Sequence, residues 1–215
     1  MAIVLHAASG SPYAWRVWLA LEQKALPYEI RMRSLKSGEL QQPEFLALNP
    51  RGLIPVLVDD DFVLYESAAI VEYLDQAYPE SGRPLFPRDA RGAGTARRIV
   101  READQYVQPP MERIVGQLLY TPAESRDGRV LEAAARELQV ELGRWVVGGG
   151  EWLAAQEPGA ADYALYPMLA LLRRLETRFG GFTLMATLSE PLQRWMERVE
   201  ALPWFDATYP PHWRA

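Results

Sequence analysis

Apolar and polar positions along this chain of 215 residues follow two different periods, and the change of period divides it. Ala2 to His6 is a short apolar run ending at small residues, which reads as a buried strand. From Pro12 to Lys24 one apolar ridge holds Tyr13, Val17, Ala20 and Leu21, and a second holds Trp15, Trp18 and Leu19. That is helical spacing, and Ser11-Pro12 supplies a cap and a first helical residue. Tyr28 to Arg33 alternates sides as a second strand. Pro43 to Leu48 suits a short helix stopped at Asn49-Pro50, because a residue before proline avoids helical geometry. Val56 to Val58 and Phe62 to Leu64 predict a hairpin turning at Asp59-Asp60-Asp61. Ser67 to Tyr78 is the next helix, with Ile70, Val71, Leu74 and Tyr78 on one face.

Pro79 to Pro87 holds three prolines and a glycine, and beyond it every long segment has helical spacing. Those segments are Ala90 to Tyr120, Arg126 to Val147, Ala160 to Phe179 and Pro191 to Leu202, with Gly148-Gly149-Gly150 parting the second from the third. Pro109-Pro110 should kink the first or split it. The shift predicts an α/β domain over residues 1–79 and an all-helical domain over 88–215. The order βαβ, helix, ββα is that of a thioredoxin-like fold, which by itself implies no chemistry.

Composition narrows the function. A hydrophobic share of 49% supplies a sizeable core, and a net charge of −5 argues against a nucleic-acid partner. Without cysteine there is no disulfide, no thiolate metal site and no cysteine nucleophile. His6 and His212 stand in no metal-ligand pattern, so no metal is expected. No apolar run approaches the roughly eighteen residues of a membrane span. The start, MAIVLHAASGSPY, shows no basic leader or cleavage pattern, so a cytoplasmic location is the expectation.

The candidate chemistry lies in two short motifs. A proline just before a strand, as in Ile54-Pro55-Val56, adopts the cis form at little cost. A cis bond there would turn the N–H and C=O of Ile54 outward, ready to pair with a peptide-like ligand as an added strand does. Ser67 stands where a helix N-cap belongs, and its hydroxyl and the following N–H groups suit an anion; Glu66 suits an ammonium beside it. Each has an ordinary alternative: a proline that starts a strand, and a cap preceded by a surface acid. Together, one hairpin apart, they form a specific signal.

NPRGLIPVL at Asn49 to Leu57 and YES at Tyr65 to Ser67 resemble the glutathione cradle of the cytosolic glutathione S-transferases. SPYAWRVWLALEQKALPYE resembles that family's first helix and second strand, and the likeness spans essentially the whole chain. In motif it is closest to the serine-type classes, of the tau, zeta and beta-like kind. The resemblance implies glutathione as co-substrate: Ile54 against its cysteinyl unit, Glu66 and Ser67 against its γ-glutamyl end, and Lys36 near its glycyl carboxylate. Leu53 departs from the pattern, since relatives often carry a polar side chain there that touches the ligand. Gly159 departs too, standing where the family carries a Ser or Thr cap three residues before Asp162.

The reaction so implied needs glutathione as thiolate. A free thiol has a pKa of about 8.5, and lowering it by about two units takes roughly 2.7 kcal/mol. One charge-assisted hydrogen bond supplies roughly 1.5–3 kcal/mol and a helix N-terminus up to about 1 more. Ser11, at the start of the first helix, matches the catalytic serine by position; Ser9 on the same loop competes with it, and Tyr13 is a third candidate. An acceptor pocket is expected between the domains, walled by Tyr13, the segment from Tyr106 to Arg113, and Trp204, Phe205 and Trp213. The expected function is addition of the glutathione thiolate to an apolar electrophile by a homodimer. The alternatives are a glutathione-dependent isomerase, whose usual Ser-Ser-Cys run is missing, and a non-catalytic interaction module.

Overall fold

The computed structural model describes residues 3–145, 147 and 151–214, so the glycine break at Gly148 to Gly150 lies outside the described residues. The described chain falls into two compact units. One runs up to Asp89 and takes up the chain again from Leu202; the other is Ala90–Ala201.

The first unit is thioredoxin-like. Its elements are β1 (Ile3–Ala7), α1 (Pro12–Gln23), β2 (Tyr28–Met32), α2 (Pro43–Leu46), β3 (Val56–Asp59), β4 (Phe62–Tyr65) and α3 (Ser67–Ala77). The sheet order is β2-β1-β3-β4. β1 and β2 run parallel from Ile3 opposite Tyr28 to Ala7 opposite Met32, with α1 as the crossover. β3 is antiparallel to both β1 and β4. The hairpin turns where expected, with Asp60 at φ 53°. α1 packs beside α3. Leu5 and Leu57 of the sheet and Val17, Leu19, Ile70 and Leu74 of the helices are all wholly buried, which is why those helical ridges are apolar.

The second unit contains α4 (Ala90–Glu102), α5 (Gln108–Val115), α6 (Gly128–Leu142), α7 (Ala160–Phe179) and α8 (Glu190–Glu200). Between α4 and α5 the helix widens into a π turn at Ala103–Val107 instead of breaking. Pro109 and Pro110 would drive their rings into the carbonyls of residues 105 and 106, and both carbonyls lie in that widened turn.

α7 is buried along most of its length and begins after Gly159. The carboxylate of Asp162 accepts the N–H of Gly159 at 2.9 Å, the N–H of Leu153 at 3.0 Å and the indole N–H of Trp195 on α8 at 2.7 Å. Burial pushes its carboxyl up to about 6, although these donors pull the other way. The return half of the capping box is therefore made without a side chain at the cap, as the Gly159 departure implied.

The chain from Leu202 onward differs from the expected layout. α9 (Phe205–Thr208) and a turn at Pro211–Trp213 belong to the unit of the sheet, not to the helical one. The cause is aromatic: Phe205, Tyr209 and Trp213 gather around Trp15 of α1, with ring centroids 5.8, 5.9 and 5.5 Å away.

Candidate functional site

The site is built from three chain reversals at one end of the sheet: the loop before α1, the loop before β3 and the start of α3. Ser11 caps α1 in an extended conformation, and its Oγ accepts the N–H of Ala14 at 3.4 Å. That weak cap uses one oxygen lone pair and leaves the hydroxyl proton for another acceptor. Ser11 is buried, and its own N–H closes a turn onto the carbonyl of Ala8 at 3.1 Å. Ser9, the competing hydroxyl, lies 2.6 Å from Nδ1 of His212. Tyr13 is half-buried in the first turn of α1.

Asn49 shapes the loop before β3. Its side chain donates to the carbonyl of Leu53 at 2.8 Å and accepts the N–H of Arg51 at 3.1 Å. Gly52 sits at φ 60°, where a Cβ would come within 2.9 Å of the Leu40 carbonyl oxygen and 2.4 Å of the Gln41 amide nitrogen. Only glycine fits there. The Ile54–Pro55 bond is cis, as expected. Neither the N–H nor the C=O of Ile54 has a backbone partner among the described residues, so both remain available. Leu53 points outward, 59% exposed.

The start of α3 departs by one residue from the expected cap. Glu66 is the N-cap, at φ 73° and ψ 106°, and Ser67 is the first helical residue. A non-glycine residue at such an angle costs about 1–3 kcal/mol, and such strain gathers at binding sites. The strained turn exposes the Glu66 side chain and leaves Ser67 buried. The Ser67 hydroxyl accepts from Nη1 of Arg16 at 3.2 Å. That bond uses a lone pair and leaves the hydroxyl proton for a further acceptor. The N–H groups of Ser67, Ala68 and Ala69 have no carbonyl within the helix to meet. A buried guanidinium, a hydroxyl and a helix N-terminus together make an anion site.

Arg16 is a residue of this arrangement that the sequence alone did not bring out. Its signal is present: it is the sole cation of α1, set between Trp15 and Val17 on an otherwise apolar stretch. His212 was missed as well, with no local signal, because its partner lies 203 residues away. Lys36 stands on the exposed loop after β2. That loop is organised by Glu39, which accepts from the N–H of Ser34 at 2.5 Å and from Arg33 at 3.2 Å. His6 is buried against Phe45; burial and the Arg33 charge lower its pKa to about 4, so it is a neutral packing residue.

Tyr106 lies in the helical unit, 55% exposed on the π turn. It borders a groove of about 610 Å³ shared with Arg98, Glu102, Arg144 and Trp145. Phe205 and Trp213, expected as pocket walls, are instead buried in the cluster around Trp15. Among the described residues no group of His, Asp and Glu side chains could hold a metal ion.

Comparison with known proteins gives the same picture. Residues 5–82 match the family model described as glutathione S-transferase, N-terminal domain, and residues 122–198 match its C-terminal domain. Glutathione S-transferase 3 of Zea mays is 35% identical over 92% of this chain and 89% of its own length. Glutathione S-transferase GstB of Escherichia coli is 32% identical over 94% of each chain. The crystal structure of a glutathione S-transferase from the Antarctic clam Laternula elliptica superposes with a TM-score of 0.78 at 30% identity. It covers 100% of this chain and 94% of that one.

Proposed function

The chain belongs to the glutathione S-transferase family, and from that membership we propose that it joins the thiolate of glutathione to an apolar, electrophilic small molecule. The observation that carries the proposal is the anion site at the start of α3, where the buried Ser67 hydroxyl rests on Arg16. The Ser67 proton and the free N–H groups of α3 take the γ-glutamyl carboxylate, and the exposed Glu66 takes the adjoining ammonium. Ile54 offers a donor and an acceptor to the cysteinyl unit, and Lys36 answers the glycyl carboxylate. Ser11 donates its hydroxyl proton to the sulfur, supported by the positive end of α1. The thiol proton passes to solvent water, and the thiolate lone pair forms the bond to the electrophilic carbon. In a substitution the carbon–leaving-group bond breaks and the group departs with its electron pair; in an addition to a double bond the resulting carbanion takes a proton from water.

Tyr13 and Tyr106 are the proposed contacts for the acceptor. A homodimer is part of the reading: Phe62 on the edge strand β4, beside Tyr73 of α3, is 43% exposed, an apolar position suited to burial by a second copy. A cytoplasmic location fits a chain without cysteine, and a detoxifying role is the proposed use of an apolar electrophilic acceptor. The isomerase alternative is not better supported, since Ser9-Gly10-Ser11 lacks the cysteine of the usual Ser-Ser-Cys run.

The test is retention on immobilised glutathione together with conjugation of a generic chloronitrobenzene. Both are expected. Retention without turnover would make the protein a binding module, and loss of both would end the reading.

A further inference from the structure

The segment after Leu202 touches the loop of Ser9, Gly10 and Ser11 at two points. Nδ1 of His212 lies 2.6 Å from the Ser9 hydroxyl. Gly10 stands at φ 80°, and a Cβ on it would fall 2.9 Å from Cε1 of His212 and 3.0 Å from Nε1 of Trp213. The loop backbone and the two rings are therefore in contact with no room for a side chain.

The segment is itself anchored on the helix that Ser11 opens. Trp15 donates its indole N–H to Oγ1 of Thr208 at 2.8 Å, and Thr208 is wholly buried and donates to the Phe205 carbonyl at 2.9 Å. Trp213 meets the Trp15 ring edge-on at 5.5 Å and 88°. Ser9 is thus held from one side by His212, and Ser11 from the other by the first turn of α1. The two serines consequently differ in what they have left to offer. The Ser9 hydroxyl is engaged with an imidazole whose tautomer sets which of the two donates, while Ser11 only accepts and keeps its proton.

We propose that His212 is a positioning residue: through Ser9 and Gly10 it fixes the loop so that the Ser11 hydroxyl meets the thiol of glutathione. This rests on the reading above that Ser11 serves the thiolate. A loop hydrogen bond of this kind is worth a few-fold in rate, not the whole of catalysis.

Steady-state kinetics of the full chain with glutathione and a chloronitrobenzene test it, alongside ultraviolet titration of the bound thiol. His212→Ala is expected to lower kcat about three- to tenfold, to shift KM for glutathione by less than about twofold, and to raise the bound thiol's pKa by about half to one unit. His212→Asn, whose amide can stand where Nδ1 stands, should recover most of the loss. Ser9→Ala should cost a similar factor, and combining it with His212→Ala should cost nothing further. Ser9→Ala removes only a hydroxyl, so it carries the test if His212→Ala does not fold. Additive losses, or a deficit that Asn does not repair, would reduce the segment to packing and overturn the proposal. Wild-type behaviour of His212→Ala beside an impaired Ser11→Ala refutes this clamp alone. Wild-type behaviour of Ser11→Ala refutes the reading beneath it as well.

Discussion

Replacing Asp162 by alanine tests the energetics of the helical unit most directly. Its carboxylate accepts from the N–H groups of Gly159 and Leu153 and from the indole of Trp195, and none of the three has water as a substitute at a site that is 1% exposed. Each buried donor left unsatisfied costs roughly 1–3 kcal/mol, so truncation should cost roughly 3–9 kcal/mol while the native carboxyl is protonated. Ionisation changes that figure with a definite sign. The native group titrates near 6 instead of 3.8 because burial disfavours its charge. A raised pKa means the folded state holds the proton longer than the unfolded chain. The carboxyl's contribution is therefore full below 3.8 and lost as pH rises through about 6. Between about pH 5 and about pH 7.5 the wild type should lose roughly 1–2 kcal/mol relative to Asp162→Ala. Urea denaturation of both proteins across that range measures the difference. A cost below about 1 kcal/mol at the acid end would show that the donors find other partners. A cost that grows with pH would show that the three donors outweigh burial and hold the carboxyl ionised.

Three further outcomes follow from the site. Ser11→Ala should raise the apparent pKa of bound glutathione and slow conjugation near neutral pH by about ten- to a hundredfold, with glutathione affinity nearly intact; the deficit should shrink as pH rises, and a pH-independent deficit would make Ser11 a helix cap only. Ser67→Ala should weaken glutathione binding, by calorimetry, more than it lowers turnover at saturation; because it also takes an acceptor from the buried Arg16, a stability loss of about 1–3 kcal/mol should accompany it, and unchanged affinity would remove Ser67 from the γ-glutamyl site. Sedimentation at micromolar concentration should show a dimer that Phe62→Glu weakens, and a monomeric wild type would contradict the proposed pairing.

Elements whose faces repeat were legible in the sequence. α7 spans Ala160–Phe179 as its periodicity predicts, and α1 ends one residue early, at Gln23. Both helices are buried on nearly every side, so their apolar positions run almost unbroken between clear start and stop signals. Local cap chemistry was legible to within a residue: Ser67 has the better capping side chain, but the strained turn at Glu66 takes the cap position. The Pro109-Pro110 pair was read as a disruption, and the widened turn before it is how the helix accommodates both rings. What stayed hidden was pairing across distance. Arg16 looks like a misplaced charge until Ser67, 51 residues on, is seen to lie against it. The segment from Leu202 onward is short, aromatic and rich in proline, with no period to assign it to either unit.

The bond from Trp15 to Thr208 spans 193 residues, which makes completion of the first unit a matter of timing. Ribosomes add about 5–20 residues each second, so roughly 10–40 s separate the appearance of Trp15 from that of the segment that covers it. During that interval the four strands and α1 can assemble, yet one aromatic flank of α1 has nothing to lie against. The nascent protein thus carries an uncovered aromatic patch beside the loop of Ser9 to Ser11 until the helical unit has been made and the segment from Leu202 follows it. A ribosome-stalled chain released before Leu202 is the natural object in which to see that patch, as a surface for chaperones to hold.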